Sequence, residues 1–200
     1  LGDFGFITEV SKNEWLDAFE KYRSGLLDVG ERILLSVTVV RDGQEIGHFT
    51  GLNDAVVSGA GISKIVRLQV SLSDVELGRY RADGIIVATP TGSTAYSAAA
   101  GGPILYPELD AMIINPICPF TLSHRPIVVP GSERICIDIE SVQRTKVILT
   151  VDGQTVTPLL PKDTVRIERS PVLARIIRSS KRTFYEVLRS KLNWSGGSDA

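Results

Sequence analysis

Two hundred residues, 43% of them hydrophobic, with a formal net charge of −1, are enough for one good-sized core or two small ones and exclude a disordered tail. Near-neutral charge supplies no overall field to steer a nucleic acid. From Lys162 onward, however, nine basic side chains stand against four acidic ones, a local +5 against −6 in the rest, which reads as a solvated or subunit-facing surface. The two cysteines, Cys118 and Cys136, form no CxxC and are accompanied by only two histidines. That argues against a metal site such as zinc and against a disulfide framework, and it suits a reducing cytoplasm. Apolar runs are broken by Gly, Pro or charge within about ten residues, short of a membrane span. No basic-then-apolar leader is visible. The first residue is Leu1 rather than Met, from which we expect that something upstream has been removed.

In chain order, NEWLDAFEKYRSGLL places Trp15, Leu16, Phe19, Tyr22 and Leu26 three and four residues apart. This spacing predicts a helix over about 13–25, with Asn13 as cap and Gly25 as end signal. The period then changes to two. RILLSVTVV, a turn at Arg41-Asp42-Gly43-Gln44, and EIGHFTG predict a hairpin with Asp-Gly at its tip, and KVILTVDGQTVTPL repeats the pattern around Asp152-Gly153. Between and after them AVVSG, KIVRLQVSLS, VELGRYRADG, GIIVAT, ICIDIE and TVRIERS are strand candidates, and TFYEVLRSKL predicts a short final helix. So many half-alternating strands must bury one face against another sheet, which predicts a mainly β (α+β) fold built as a two-layer β-rich domain with short helices.

Chemistry concentrates in DGIIVATPTGSTAYSAAAGGPIL, residues 83–105. GIIVATP reads as a buried strand stopped by Pro90, with a turn at Thr91-Gly92. Ser93 or Thr94 is then placed to cap a helix through TAYSAAA that ends at Gly101-Gly102. Such a helix would aim unpaired N–H groups and the positive end of its dipole at an anion or a polar nucleoside edge. The alanines at 95, 98, 99 and 100 keep it slim, and Tyr96 is its one large side chain. A strand, a turn and a capped helix also make ordinary architecture that mostly binds nothing. No GxxxxGK[ST] is present, so a P-loop lysine does not grip nucleotide phosphates here.

Taken as a block, DGIIVATPTGSTAYSAAAGGPI, followed by NPICPFTLSHRPIVV, preceded by GLNDAVV and opened by LGDFGFITEV, closely resembles the NAD kinases, enzymes that phosphorylate NAD to NADP. The resemblance runs nearly the full length. It implies the β-rich C-terminal domain of an NAD-kinase-like protein in which an α/β domain comes first. On that pattern residues 1–27 are a remnant of the α/β domain, 28–170 the β-rich NAD-binding domain, and 171–200 a segment returning to the first domain.

The resemblance also carries residue roles. Phe6 of the opening Gly-Phe would lie beside the dinucleotide, although a core phenylalanine explains it as well. Asn53 and Asp54 match an Asn-Glu/Asp pair that hydrogen-bonds the nucleosides; an amide beside a carboxylate can accept from ribose hydroxyls or an exocyclic amine, and an Asx turn is the other explanation. Arg81 and Asp83 match Arg-x-Asp-Gly, the carboxylate accepting from an amide or amine and the arginine balancing it, or the two form a surface ion pair. Thr94, Ala95, Tyr96, Ser97, Ala98 and Ala99 fall on the family's binding run. Where many relatives read Ser-Leu-Ser after the tyrosine, this chain reads Ser97-Ala98-Ala99, which puts one hydroxyl contact in doubt. Lys64 aligns with a variable ligand edge or is plain surface. Gln154 aligns with a glutamine near the ligand, yet a hairpin tip accounts for it too.

The family's Gly-Gly-Asp-Gly-Thr, which supplies the aspartate proposed to take the proton from the NAD 2′-hydroxyl, lies upstream of LGDFGF and does not occur in these 200 residues. Phosphoryl transfer depends on positioning, Mg²⁺ and a base that orients the nucleophile, so the expectation is NAD binding without turnover by this chain alone. The resemblance implies NAD as substrate, ATP or another phosphoryl donor, a divalent cation such as Mg²⁺ with the ATP, a homodimer or homotetramer, no nucleic-acid or membrane partner, and a cytoplasmic location. A non-catalytic NAD or NADP sensor is the alternative. A lipid kinase relative is more remote, because the Asn-Asp pair and TPTGSTAY suit a dinucleotide and leave no apolar lining for a tail.

Overall fold

The computed structural model describes residues 10, 13–61, 65–121, 123–178 and 183–192. The chain divides into two compact units, residues 33–174 and residues 1–32 with 175–200.

The larger unit is a β-sandwich. Its strands are β1 (Val29–Arg41) and β2 (Gln44–Gly51), β3 (Asp54–Ala60), β4 (Val66–Leu72), β5 (Val75–Ala82) and β6 (Gly84–Ala88). After a loop come β7 (Ala111–Ile117), β8 (Ile127–Pro130), β9 (Ile135–Ile139), β10 (Lys146–Val151), β11 (Thr155–Leu159) and β12 (Thr164–Ile177). One six-stranded sheet runs β2-β1-β12-β9-β4-β5 and the other β11-β10-β3-β6-β7-β8. Both Asp-Gly hairpins form as expected, Arg41 opposite Gln44 and Val151 opposite Thr155. Asp42, Gly43, Asp152 and Gly153 all take positive φ, the left-handed geometry that tight hairpin turns require.

The two sheets differ in burial. In the first, β4, β9 and β1 from Ile33 onward alternate buried and half-buried residues, so one face, including Leu35, Val37, Leu68, Ile135 and Ile137, enters the core and the other meets solvent. In the second, β6 is buried at every position. Ile85 and Val87 join the inter-sheet core, while Ile86 and Ala88 form a second cluster with Val56 and Ile113, against which Ala100 and Leu105 pack. The segment between β6 and β7 thus covers the outer face of the second sheet. Each fully buried Ile, Leu or Val contributes roughly 1.5–3 kcal/mol.

Two strands are missing from the sequence-based expectation. β7 contains Asn115-Pro116, a dipeptide that reads as a turn, yet Ile86 pairs with Asn115 and Ile85 with Pro116. β8 has four residues, too few to show an alternation.

In the smaller unit α1 spans Trp15–Arg23, inside the predicted range. Its N-cap is Glu14, without a side-chain bond, and not Asn13. Gly25 ends it at φ 71, with the N–H groups of Gly25 and Leu26 donating to the Tyr22 and Lys21 carbonyls. Ala18 is its one buried residue. The last helix follows at Phe184–Lys191, closed by a capping box between Thr183 and Glu186.

Candidate functional site: a cleft at one end of the second sheet

Three strand ends meet at Leu52-Asn53-Asp54. Asp54 opens β3 opposite Ala88, the last residue of β6, and Ala55 stands opposite Val151, the last residue of β10. From the β6 side the Thr89 N–H donates to the Asn53 carbonyl (2.9 Å) and the Thr89 hydroxyl to the Leu52 carbonyl (2.6 Å). The same hydroxyl accepts from the Gly92 N–H at 3.0 Å. From the β10 side the Asp152 carboxylate accepts from three successive amides: Leu52 N–H on Oδ2 (2.7 Å), and Asn53 N–H (2.7 Å) and Asp54 N–H (3.0 Å) on Oδ1. The Asp152 N–H donates back to the Asp54 carbonyl at 3.0 Å.

With its backbone held from both sides, Asn53 presents a side chain whose Oδ1 is buried and has no hydrogen-bond partner. An unsatisfied buried acceptor costs about 1–3 kcal/mol, so this atom is a place where a donor from outside would be welcome. Asn53 and Asp54 line a cleft of ≈ 380 Å³ together with Val56, Ser58, Ala95, Tyr96, Thr150, Asp152 and Gly153. The volume lies at the small end of ligand sites, about 300–1,000 Å³, and suits a nucleoside-sized group. Val56 and Ser58 alternate with core-facing residues along β3 and Thr150 pairs with Val56, so the floor is the sheet's outer face where it escapes the cover over β6 and β7. No lysine, arginine or histidine lines it.

Asp54 is 5% exposed. Burial, reinforced by the nearby Asp152 charge, pushes its carboxyl up to about 6. It is therefore poised to lend an O–H donor when protonated and to accept only when ionised, which matches the mixed donors and acceptors of a ribose.

The approach of the 89–99 segment depends on Gly92, where a Cβ would overlap the carbonyl oxygen and carbon of Asn53. The helix expected through TAYSAAA forms only over its later part and ends at Gly101 (φ 79) as expected, but it is not capped by Ser93 or Thr94. A 3-10 turn over Gly92–Thr94 is followed by a separate four-residue helix, α2 (Tyr96–Ala99), and neither has a side-chain cap. The Ser93 and Thr94 hydroxyls donate instead to the Pro90 (2.6 Å) and Thr91 (3.2 Å) carbonyls, and Ala95, at φ −97 and ψ −128, interrupts the helical path. Short hydroxyl side chains compete with helix formation in this way. Ala95 and Tyr96, the cap position and first residue of α2, line the cleft, and its polar side chains are Asn53, Asp54, Ser58, Tyr96, Thr150 and Asp152.

The structure brings together Asn53, Asp54, Ala95 and Tyr96 of the residues singled out from the sequence. Tyr96 is 48% exposed at the cleft wall. Thr94 and Ala98 are half-buried and Ala99 is exposed. Ser97 is fully buried, its Oγ and carbonyl accepting from Asn115 Nδ2 at 3.2 and 3.0 Å. Gln154 is exposed beyond the hairpin tip, its N–H donating to the Val151 carbonyl. Arg81 and Asp83 lie at the end of β6 away from Asp54, where the Asp83 carbonyl accepts from the Gly59 N–H (3.1 Å), next to Ser58 of the cleft floor. There the Arg81 guanidinium sits 5.0 Å over the Phe120 ring, and the Asp83 N–H donates to Ile117. Phe6 and Lys64 lie outside the described residues. Sequence reasoning missed Asp152, whose Asp-Gly signal was fully explained by the hairpin.

Among the described residues no group of three or more His, Cys, Asp or Glu side chains could hold a metal ion, and Asp152 is engaged by three amides. The described residues thus offer no cage of side chains for the divalent cation implied by the resemblance. No helix among the described residues is long and apolar enough to cross a membrane.

Residues 52–179 match the ATP-NAD kinase C-terminal domain. The NAD kinase of Treponema denticola is 44% identical over 99% of this chain and 70% of its own length, and that of Treponema pallidum is 44% identical over 98% and 64%. The chain thus spans about two thirds of the length of these relatives. Among solved structures, yeast NADH kinase complexed with NADH superposes with a TM-score of 0.90 at 26% identity, covering 100% of this chain and 60% of that one. An NAD kinase from Archaeoglobus fulgidus in complex with ATP gives 0.76 at 27%, covering 95% and 70%. With a domain match over residues 52–179 and 44% identity to such relatives over nearly all of its own length, this chain belongs to the NAD kinase family.

Proposed function

We propose that this chain supplies most of the NAD site of an NAD kinase that phosphorylates the 2′-hydroxyl of the adenosine ribose of NAD to give NADP. The observation that carries the reading is the buried, unpaired Asn53 Oδ1 beside the Asp54 carboxyl in a nucleoside-sized cleft. Asn53 accepts from a ribose hydroxyl or exocyclic amine, Asp54 accepts or donates according to its protonation, and the exposed ring of Tyr96 packs on a base or sugar. Slim Ala95 lets the ligand approach the 3-10 turn. Phe6, Lys64, Arg81, Asp83, Thr94, Ser97, Ala98, Ala99 and Gln154 complete the proposed set through the family resemblance. ATP or another phosphoryl donor with a divalent cation, and assembly as a homodimer or homotetramer in the cytoplasm, belong to the same proposal. The short-hydroxyl junction fits an acceptor whose ribose must stay open to a second nucleotide.

The test is calorimetry of the 200-residue chain with NAD and with NADP, alongside an assay for NADP formed from NAD and ATP. We expect saturable dinucleotide binding without turnover, because the family's Gly-Gly-Asp-Gly-Thr does not occur in these residues. Absence of binding would remove the basis of the reading, and robust turnover would refute the role given to that motif.

A further inference from the structure

We propose that Asp152 is a positioning residue of the cleft: its carboxylate, by accepting from the amides of Leu52, Asn53 and Asp54, holds the Asn53 and Asp54 side chains in their binding pose. The proposal rests on the nucleoside reading of the cleft for its functional consequence, and on geometry alone for the clamp.

The residue comes from a hairpin tip about a hundred positions away in sequence. Asp152 shares its setting with Asp42: each opens an Asp-Gly turn, each at φ 49. A turn requires no more of the side chain than tolerance of the left-handed region. Asp152 does much more. Both its oxygens are occupied by amides at 2.7–3.0 Å, and its own N–H closes a ring with the Asp54 carbonyl. Three N–H groups converging on one carboxylate form a charge-assisted cradle of the kind that backbone nests offer to anions. Here the anion belongs to the chain and the consequence is rigidity. A strand that simply began at Asp54 would have no reason to fix the two residues before it.

The clamp also has an electrostatic side. Among the residues lining the cleft, the charged groups facing Asp54 are limited to Asp152; Asn53, Ser58, Tyr96 and Thr150 are the other polar side chains there. The Asp152 charge adds to burial in keeping the Asp54 proton bound, so Asp152 bears both on where Asp54 points and on which form it presents.

Asp152→Asn keeps size and turn preference while removing the charge and facing an NH₂ group toward the amides. For this variant of the 200-residue chain we expect weaker protection of the 52–54 amides against hydrogen exchange, an Asp54 carboxyl titration moved to lower pH by NMR, and NAD affinity down about tenfold. Asp42→Asn serves as the control for a hairpin tip and should leave all three unchanged. A variant that merely loosens the fold would lower the unfolding temperature without moving the Asp54 titration. Unchanged exchange and titration in Asp152→Asn would overturn the clamp. If the unaltered chain binds no NAD, the exchange and titration still decide: a change upholds the clamp and removes the nucleoside reading, and no change removes both.

Discussion

Gly92 lies directly against the carbonyl of Asn53, so closely that a β-carbon on the glycine would occupy the space of the carbonyl oxygen. This contact joins the Thr-Pro-Thr-Gly turn to the residue whose side chain carries the proposed binding. Neither partner can yield cheaply, because Asn53 is tied to Thr89 on one side and Asp152 on the other. Gly92→Ala is therefore expected to destabilise the domain by about 1–3 kcal/mol, the range for overpacking, and to weaken NAD binding by displacing Asn53. Urea unfolding and calorimetry of the same sample check both effects.

Asp54 gives a pH signature with a definite sign. Its carboxyl sits near 6 in the folded chain against an ordinary 3.8. Below about pH 4 it is protonated whether or not the chain is folded and has no effect on stability. Between about pH 4 and 6 the unfolded chain releases the proton first, so stability falls as pH rises, and above 6 the penalty is complete at about 2–3 kcal/mol. Asp54→Asn should therefore be more stable than the unaltered chain at pH 7.5 by up to that amount, with the difference vanishing near pH 4. It should also bind NAD more weakly, the trade expected of a residue kept for function. Urea midpoints at three pH values decide this.

A second buried carboxylate behaves in the opposite way. Asp163 is 1% exposed, and burial alone would raise its carboxyl. The bidentate bond from Arg41 (2.8 and 2.7 Å) and the Leu160 N–H (2.7 Å) outweigh burial and hold it below the usual range. Its contribution is present above the ordinary carboxylate value and is lost as pH falls through its folded value. Arg41→Leu leaves the carboxylate buried without its cation. The variant should unfold at lower urea than the unaltered chain at pH 7, and the gap should narrow toward pH 4 as Asp163 takes up a proton; denaturation curves at the two pH values test this.

Much of the sandwich was legible before the structure because its signals are local. Alternation in β4 and β9, the half-alternating run of β1 and an Asp-Gly at each of two hairpin tips are all signals within a few residues of one another. Three features were not local. β7 was hidden by Asn115-Pro116, whose amide is buried in a bond to Ser97 that no window around it reveals. The helix expected through TAYSAAA was shortened to Tyr96–Ala99 because hydroxyls bonding three residues back closed a 3-10 turn where its cap was expected, and helix propensity alone does not register that competition. Asp152 looked identical to Asp42, and only the arrival of Leu52-Asn53-Asp54 from across the sheet distinguishes them. Asn53 and Asp54 were legible as candidates through the family resemblance, whereas the reason they stand out, a buried acceptor without a donor beside a carboxyl raised to about 6, is a property of the assembled cleft.

The most direct measurement is an NAD titration of the unaltered chain and of Asn53→Ala by calorimetry, paired with their unfolding temperatures. Since the Asn53 oxygen bonds to nothing within the chain, removing it should not lower the unfolding temperature, while it reduces NAD affinity at least about tenfold, the equivalent of one good hydrogen bond. Equal affinity in the two proteins would show that the dinucleotide, wherever it binds, does not use this cleft.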